Sequence, residues 1–99
     1  MPLPFSATAL DVKTRFVQEA VELGPQNPMA RANLCLALSL AGRPQEAIPH
    51  AQQAVTLTNA QNPLLLDMLG RLYAQAGRVP EAVEPTRQAA LMTSAAIEA

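Results

Sequence analysis

Displaced by 35 residues, the chain lies on top of itself. Gln26-Asn27-Pro28 falls on Gln61-Asn62-Pro63, Leu34 on Leu69, and Ala41-Gly42-Arg43 on Ala76-Gly77-Arg78. Further along, Glu46-Ala47 falls on Glu81-Ala82, Gln53-Ala54 on Gln88-Ala89, Thr58 on Thr93 and Ala60 on Ala95. Residues 26–60 and 61–95 share 13 identities in 35, where an alanine- and leucine-rich composition alone gives about three or four. A weaker third copy precedes them, because Ala20-Val21-Glu22-Leu23-Gly24-Pro25 resembles the end of a unit at a spacing one residue shorter. Such a period restricts the chain to repeat architectures, in which each unit buries its apolar face only against its neighbours.

Each unit reads as two helices joined by a tight turn. Asn27-Pro28 and Asn62-Pro63 open the first helices. The Asn side chain accepts hydrogen bonds from the first free N–H groups, and Pro is favoured where its missing N–H costs nothing. Gly42 and Gly77 end these helices, since glycine tolerates the left-handed conformation just past a helix end. Second helices start near Pro44 and Val79 and run to about Leu57 and Met92. Their apolar residues recur at three and four: Ala47, Ile48, Ala51, Ala54 and Val55, then Ala82, Val83, Ala89 and Ala90. The N-terminal segment reads as one further helix, with Ser6 as N-cap and Gly24 as stop, carrying Leu10, Phe16, Val17, Ala20 and Val21. No stretch alternates as a strand does. The expected architecture is all-α, a helix-turn-helix solenoid of about five helices in one domain. It comprises a partial repeat over 6–25 and full repeats over 28–60 and 63–95. Ala47, Ala54, Ala82 and Ala89, with Cys35 and Gly70, let the helices approach closely, and Leu34, Leu38, Leu69 and Tyr73 fill the gaps. Pro49 and Pro85 lie inside second helices, where each removes one backbone hydrogen bond.

Composition narrows the chemistry. The formal net charge is −1, so no basic surplus is present to neutralise nucleic-acid phosphates. An apolar content of 49% with so little charge also argues against disorder. One cysteine, Cys35, leaves no internal disulfide and no cysteine zinc site, and one histidine, His50, leaves no histidine metal cluster. Cys35, between Leu34 and Leu36, reads as a small buried hydrophobe. His50 reads as an exposed helix residue within hydrogen-bond reach of Glu46 four residues earlier, and Glu81-Glu84 with Arg78 and Arg87 as a solvated, ion-paired face. Met29, Met68 and Met92 read as packing residues. No catalytic pair, phosphate loop or metal spacing is present, so neither an enzyme nor a cofactor is expected. The first residues lack the basic and apolar regions of a secretory signal. The longest apolar stretch, about Ala32–Ala41, is far shorter than the ~20 residues a membrane helix needs. A lone cysteine fits a reducing compartment such as the cytoplasm.

Together these residues resemble the tetratricopeptide repeat. Leu69-Gly70, Tyr73, Gly77, Ala82 and Ala89 follow that pattern in the second full unit, and Leu34, Gly42, Ala47 and Ala54 in the first. The sequence departs from it at Arg31 and Leu66 in place of Trp, at Cys35 and Leu38 in place of Gly and Tyr, at Ala51 and Thr86 in place of an aromatic, and at Asn59 and Ser94 in place of Pro. The resemblance implies a non-catalytic scaffold for protein partners, with the first helix of each unit lining a concave groove. The residues it places there are Met29, Ala32, Asn33, Leu36 and Leu40, then Leu64, Asp67, Met68, Arg71 and Gln75. This mixed surface suits an apolar peptide or partner helix with one or two polar anchors. It does not suit a terminal-carboxylate clamp, because Asn33 alone would serve and Lys13 is the sole lysine. Two alternatives stand beside this reading. One is the repeat tail of a larger bacterial enzyme such as a membrane-bound glycosyltransferase, which Leu65-Leu66-Asp67 resembles. The other is a self-assembling repeat, since a short array with a mildly polar Thr93–Ala99 tail is expected to associate through its end faces or to belong to a longer array.

Overall fold

The structure, a computed structural model, describes residues 5–98 of the chain, with side chains described over 12–94. Five α-helices follow in order: α1 Phe5–Leu23, α2 Pro28–Leu40, α3 Pro44–Leu57, α4 Pro63–Gln75 and α5 Val79–Glu98. No strand occurs among the described residues. Substantial packing joins only consecutive helices, and the body is elongated, 56 × 30 × 21 Å. A layout in which each element packs chiefly against its chain neighbours is that of a solenoid.

The helix signals act where the sequence places them. Asn27 Oδ1 accepts from the Met29 and Ala30 N–H groups, and Asn62 Oδ1 from the Leu64 N–H. At the other end of α2, the Gly42 N–H donates to the Ser39 carbonyl and the Arg43 N–H to the Leu38 carbonyl. The same pair recurs after α4, from Gly77 to Ala74 and from Arg78 to Tyr73. Gly42 and Gly77 hold φ of 76° and 79°, the left-handed state that lets these two bonds close the helix. After α3 the same closure is made without glycine, from Asn59 to Thr56 and from Ala60 to Val55. Here Asn59 and Ala60 take φ of 54° and 55°.

The core runs along the stack. Leu34, Cys35, Leu38, Ala47, Ile48, Ala51, Leu69, Leu72, Tyr73 and Ala82 form one buried cluster, and Ala32, Ala54 and Leu65 a second. The four repeat alanines, Ala47, Ala54, Ala82 and Ala89, are all buried. Gly70 shows how tight the contact is. A Cβ there would stand 2.2 Å from Thr86 Oγ1 and 3.3 Å from the Ala82 carbonyl oxygen.

Three expectations are revised. α1 already runs at Phe5, so Ser6 lies inside the helix and is not its cap. Val21 is buried and Val17 half-buried, but Phe16 and Ala20 are exposed, because α1 packs substantially against α2 alone. The expected side-chain role of Leu10 lies outside the described residues. α5 passes Met92 and reaches Glu98. Ser94 stands where Asn59 turns the chain, and serine lacks the readiness of asparagine for the left-handed state. Helices α3 and α5 stay continuous through Pro49 and Pro85.

Candidate interaction groove

A groove of about 380 Å³ opens between α2 and α4, lined by Cys35, Leu36 and Ser39 on one side and by Leu64, Asp67, Met68, Arg71, Leu72 and Gln75 on the other. Its position follows from the stacking. α3 packs against both α2 and α4, and the two first helices also touch each other. Near their N-terminal ends Ala32 packs with Ala54 and Leu65. Near their C-terminal ends Ser39 Oγ donates to Gln75 Oε1 at 2.6 Å while Gln75 Nε2 donates to the Ser39 carbonyl at 3.1 Å. This reciprocal pair ties the two helices together beside the opening.

The chemistry of the lining is mostly apolar. Leu36 and Leu64 stand 51% and 78% exposed, while Cys35 and Leu72 are buried beneath them. Burial pushes the Cys35 thiol up to about 12, and its Sγ donates to the Ala47 carbonyl at 3.3 Å. The group is therefore a packed thiol and not a nucleophile. The charges in the lining neutralise each other, because Arg71 Nε sits 2.9 Å from Asp67 Oδ2. Among the described residues no group of three or more His, Cys, Asp and Glu is placed to hold a metal ion.

Of the residues expected in a groove, Leu36, Leu64, Asp67, Met68, Arg71 and Gln75 line this opening. Met29, Asn33 and Leu40 are exposed on α2 but outside it, and recur at spacings that continue the Leu36 stripe along the helix. Ala32 is buried, 4% exposed, because its methyl group fills the contact between units; it offers a partner nothing. Sequence reasoning missed Cys35, Ser39 and Leu72. Ser39 carries no apolar signal, and its role appears only once Gln75 is opposite it.

The histidine is also placed differently. Glu46 pairs with Arg43, in a bidentate contact that holds its carboxyl below the usual range. His50 instead accepts from Arg31 Nη1 through Nδ1 at 3.1 Å, and Arg31 Nε donates to the Pro25 carbonyl. Guanidinium only donates, so Nδ1 is the unprotonated nitrogen. Partial burial and the adjacent Arg31 both hold the His50 pKa below its ordinary value. The expected Arg78–Glu81 pair at the start of α5 and the expected Arg87–Glu84 pair along it are present. No helix among the described residues is long and apolar enough to cross a membrane.

Comparison with known proteins agrees with this architecture. The chain is similar to two solved structures of MamA. One, MamA MSR-1, is 24% identical with a TM-score of 0.78, over 89% of this chain and 50% of that one. The other, MamA AMB-1, is 25% identical with a TM-score of 0.80, over 90% of this chain and 48% of that one. The chain thus spans about half the length of the MamA chains it matches. A sequence comparison with curated proteins finds no match. The tetratricopeptide repeat model matches residues 28–53 and 63–84, within the α2–α3 and α4–α5 hairpins, and with their shared period, glycine turns and alanine contacts these are two tetratricopeptide repeats.

Proposed function

We propose that the chain is a protein-interaction scaffold that docks an apolar segment of a partner protein in the groove between α2 and α4. The observation that carries this reading is the exposure of Leu36 and Leu64 over a buried Cys35–Leu72 floor. Two large apolar side chains facing each other across a concave opening gain from covering by a third. The Asp67–Arg71 pair and the Ser39–Gln75 pair sit within the same lining and supply polar anchors for the backbone or one polar side chain of the segment. The partner is therefore a peptide or helix with two or three apolar side chains, not a nucleic acid.

The test is selection of binding peptides from a displayed library on the purified chain, followed by titration with groove variants. Leu36→Glu and Leu64→Glu are expected to weaken binding of the selected peptides at least tenfold with circular dichroism unchanged. Asn33→Ala, on the α2 stripe outside the groove, is expected to leave it unchanged. Peptides that bind both glutamate variants as tightly as the parent would refute the groove.

A further inference from the structure

The ends of the array present what its middle covers. In the first unit Ile48 and Ala51 of α3 are buried, in one cluster with the α4 residues Leu69, Leu72 and Tyr73. One period later, their equivalents Val83 and Thr86 of α5 are exposed, Val83 to 58%. Val79 and Ala90, also exposed, continue the strip at spacings of four, three and four residues, so all four share one face of α5. At the opposite end α1 presents Val12, Phe16, Ala20 and Leu23, again on one face and all exposed, Phe16 to 67%.

We infer that these two strips are complementary halves of one interface, and that the chain binds a second copy of itself head to tail, with α1 of one copy lying along α5 of the next. Three observations select this occupant. The helices match in length, 19 and 20 residues. The strips match in shape, since Phe16 and Leu23 project from α1 while Val83, Thr86 and Ala90 leave α5 shallow. The charges match when the helices run parallel. With Phe16 set against Val83, Glu19 and Glu22 on the flank of α1 come level with Arg87 on the flank of α5, and Arg15 comes near Glu84. Turning one helix end for end moves Glu19 and Glu22 away from Arg87 and brings Lys13 toward it. Within one chain Arg87 holds Glu84 only loosely, at 3.5 Å with both side chains more than 60% exposed. Among the described residues Arg15, Glu19 and Glu22 form no ion pair. Because each copy uses a different surface at each end, the contact propagates instead of closing on a two-fold axis.

The experiment is sedimentation velocity on the full chain across a concentration series, with Phe16→Glu and Val83→Glu alone and mixed. Both side chains are exposed, so both variants are expected to retain the parent circular dichroism. The parent is expected to grow through dimer to larger species as concentration rises. Each variant alone is expected to stay monomeric, since every contact then carries one damaged face. An equimolar mixture is expected to form a dimer and nothing larger, because Phe16→Glu supplies an intact α5 strip and Val83→Glu an intact α1 strip. Leu36→Glu is expected to assemble as the parent does, which separates this interface from the groove. A parent that stays monomeric to several hundred micromolar overturns the inference and leaves the α5 face to a helix of a different protein. A mixture that fails to dimerise overturns the head-to-tail arrangement.

Discussion

In the first unit the close approach of the paired helices is filled by Cys35 against Ala47 and Ala51; in the second, by Gly70 against Ala82 and Thr86. Where one helix gains a side chain, the other gives one up. The turns around these crossings are the same to within 0.1 Å in their hydrogen bonds. The repeat therefore conserves backbone spacing and total volume, not the residue at each place. The units also differ in front. Arg31 and His50 make a polar contact where the first unit meets the α1–α2 turn through Pro25. The second unit has Leu66 and Pro85 at the equivalent places, and Leu66 is buried. A neighbour made of loop carbonyls calls for donors, and a neighbour made of helix calls for hydrocarbon.

The largest effect should come from overfilling the covered unit. Ala47 of α3 is wholly buried in the core it shares with α2 and α4, whereas Ala82 lies on α5, the last helix of the stack. Ala47→Leu is expected to cost about 3 kcal/mol and Ala82→Leu about 1 kcal/mol in urea unfolding, as overpacking scales with how little the site can relax. Equal losses would mean that the end unit is as constrained as the middle one. Next is the volume exchange. Gly70→Ala is expected to cost about 1 kcal/mol, since strain of ~1–3 kcal/mol exceeds the ~1 kcal/mol helix gain of alanine over glycine. Added to Thr86→Ala, the same change should turn stabilising, which a double-mutant cycle would show as coupling of opposite sign.

A smaller change concerns the link between units. Ala60 holds φ of 55°, which costs an L-residue roughly 1–2 kcal/mol. Ala60→Gly is expected to raise the melting midpoint by a few degrees, the size of shift that ~1 kcal/mol gives in a small domain. The smallest effect is the pH response, which belongs to the first unit alone. Folded His50 titrates below its ordinary 6.5 because burial and Arg31 disfavour the imidazolium. The unfolded chain thus takes up a proton that the folded chain resists. Stability is complete above about pH 6.5 and declines as pH falls toward the lowered value. His50→Gln, which keeps an acceptor for Arg31, should flatten that slope; an unchanged slope would place its origin elsewhere.

The parts of this molecule legible in its sequence were those fixed by local chemistry. Asn-Pro starts, glycine stops and alanine contacts are each set by one or two residues, and all hold. The groove was legible as a helix face but not as an opening. Leu36 and Leu64 could be placed on first helices, but Ala32 has the same helical address and is buried. What separates them is where Ala54 and Leu65 pack onto α2, over Ala32 and not Leu36, which no spacing along the chain encodes. The ends were least legible. Phe16 and Val83 follow the same apolar rhythm as Val21 and Ile48, and rhythm says which face is apolar without saying whether anything covers it. Ser94 failed to stop α5 because the stop at Asn59–Ala60 needs two residues in a row at positive φ, and serine enters that state less readily than asparagine.

Cys35 has a practical corollary. Its thiol is the chain's sole one, buried in the floor of the groove and engaged with the Ala47 carbonyl, so an alkylating reagent can reach it only after α2 parts from α3 or α4. The rate of labelling thus times the opening of the first unit without any introduced probe. It should rise in Ala47→Leu long before it rises in Ala82→Leu.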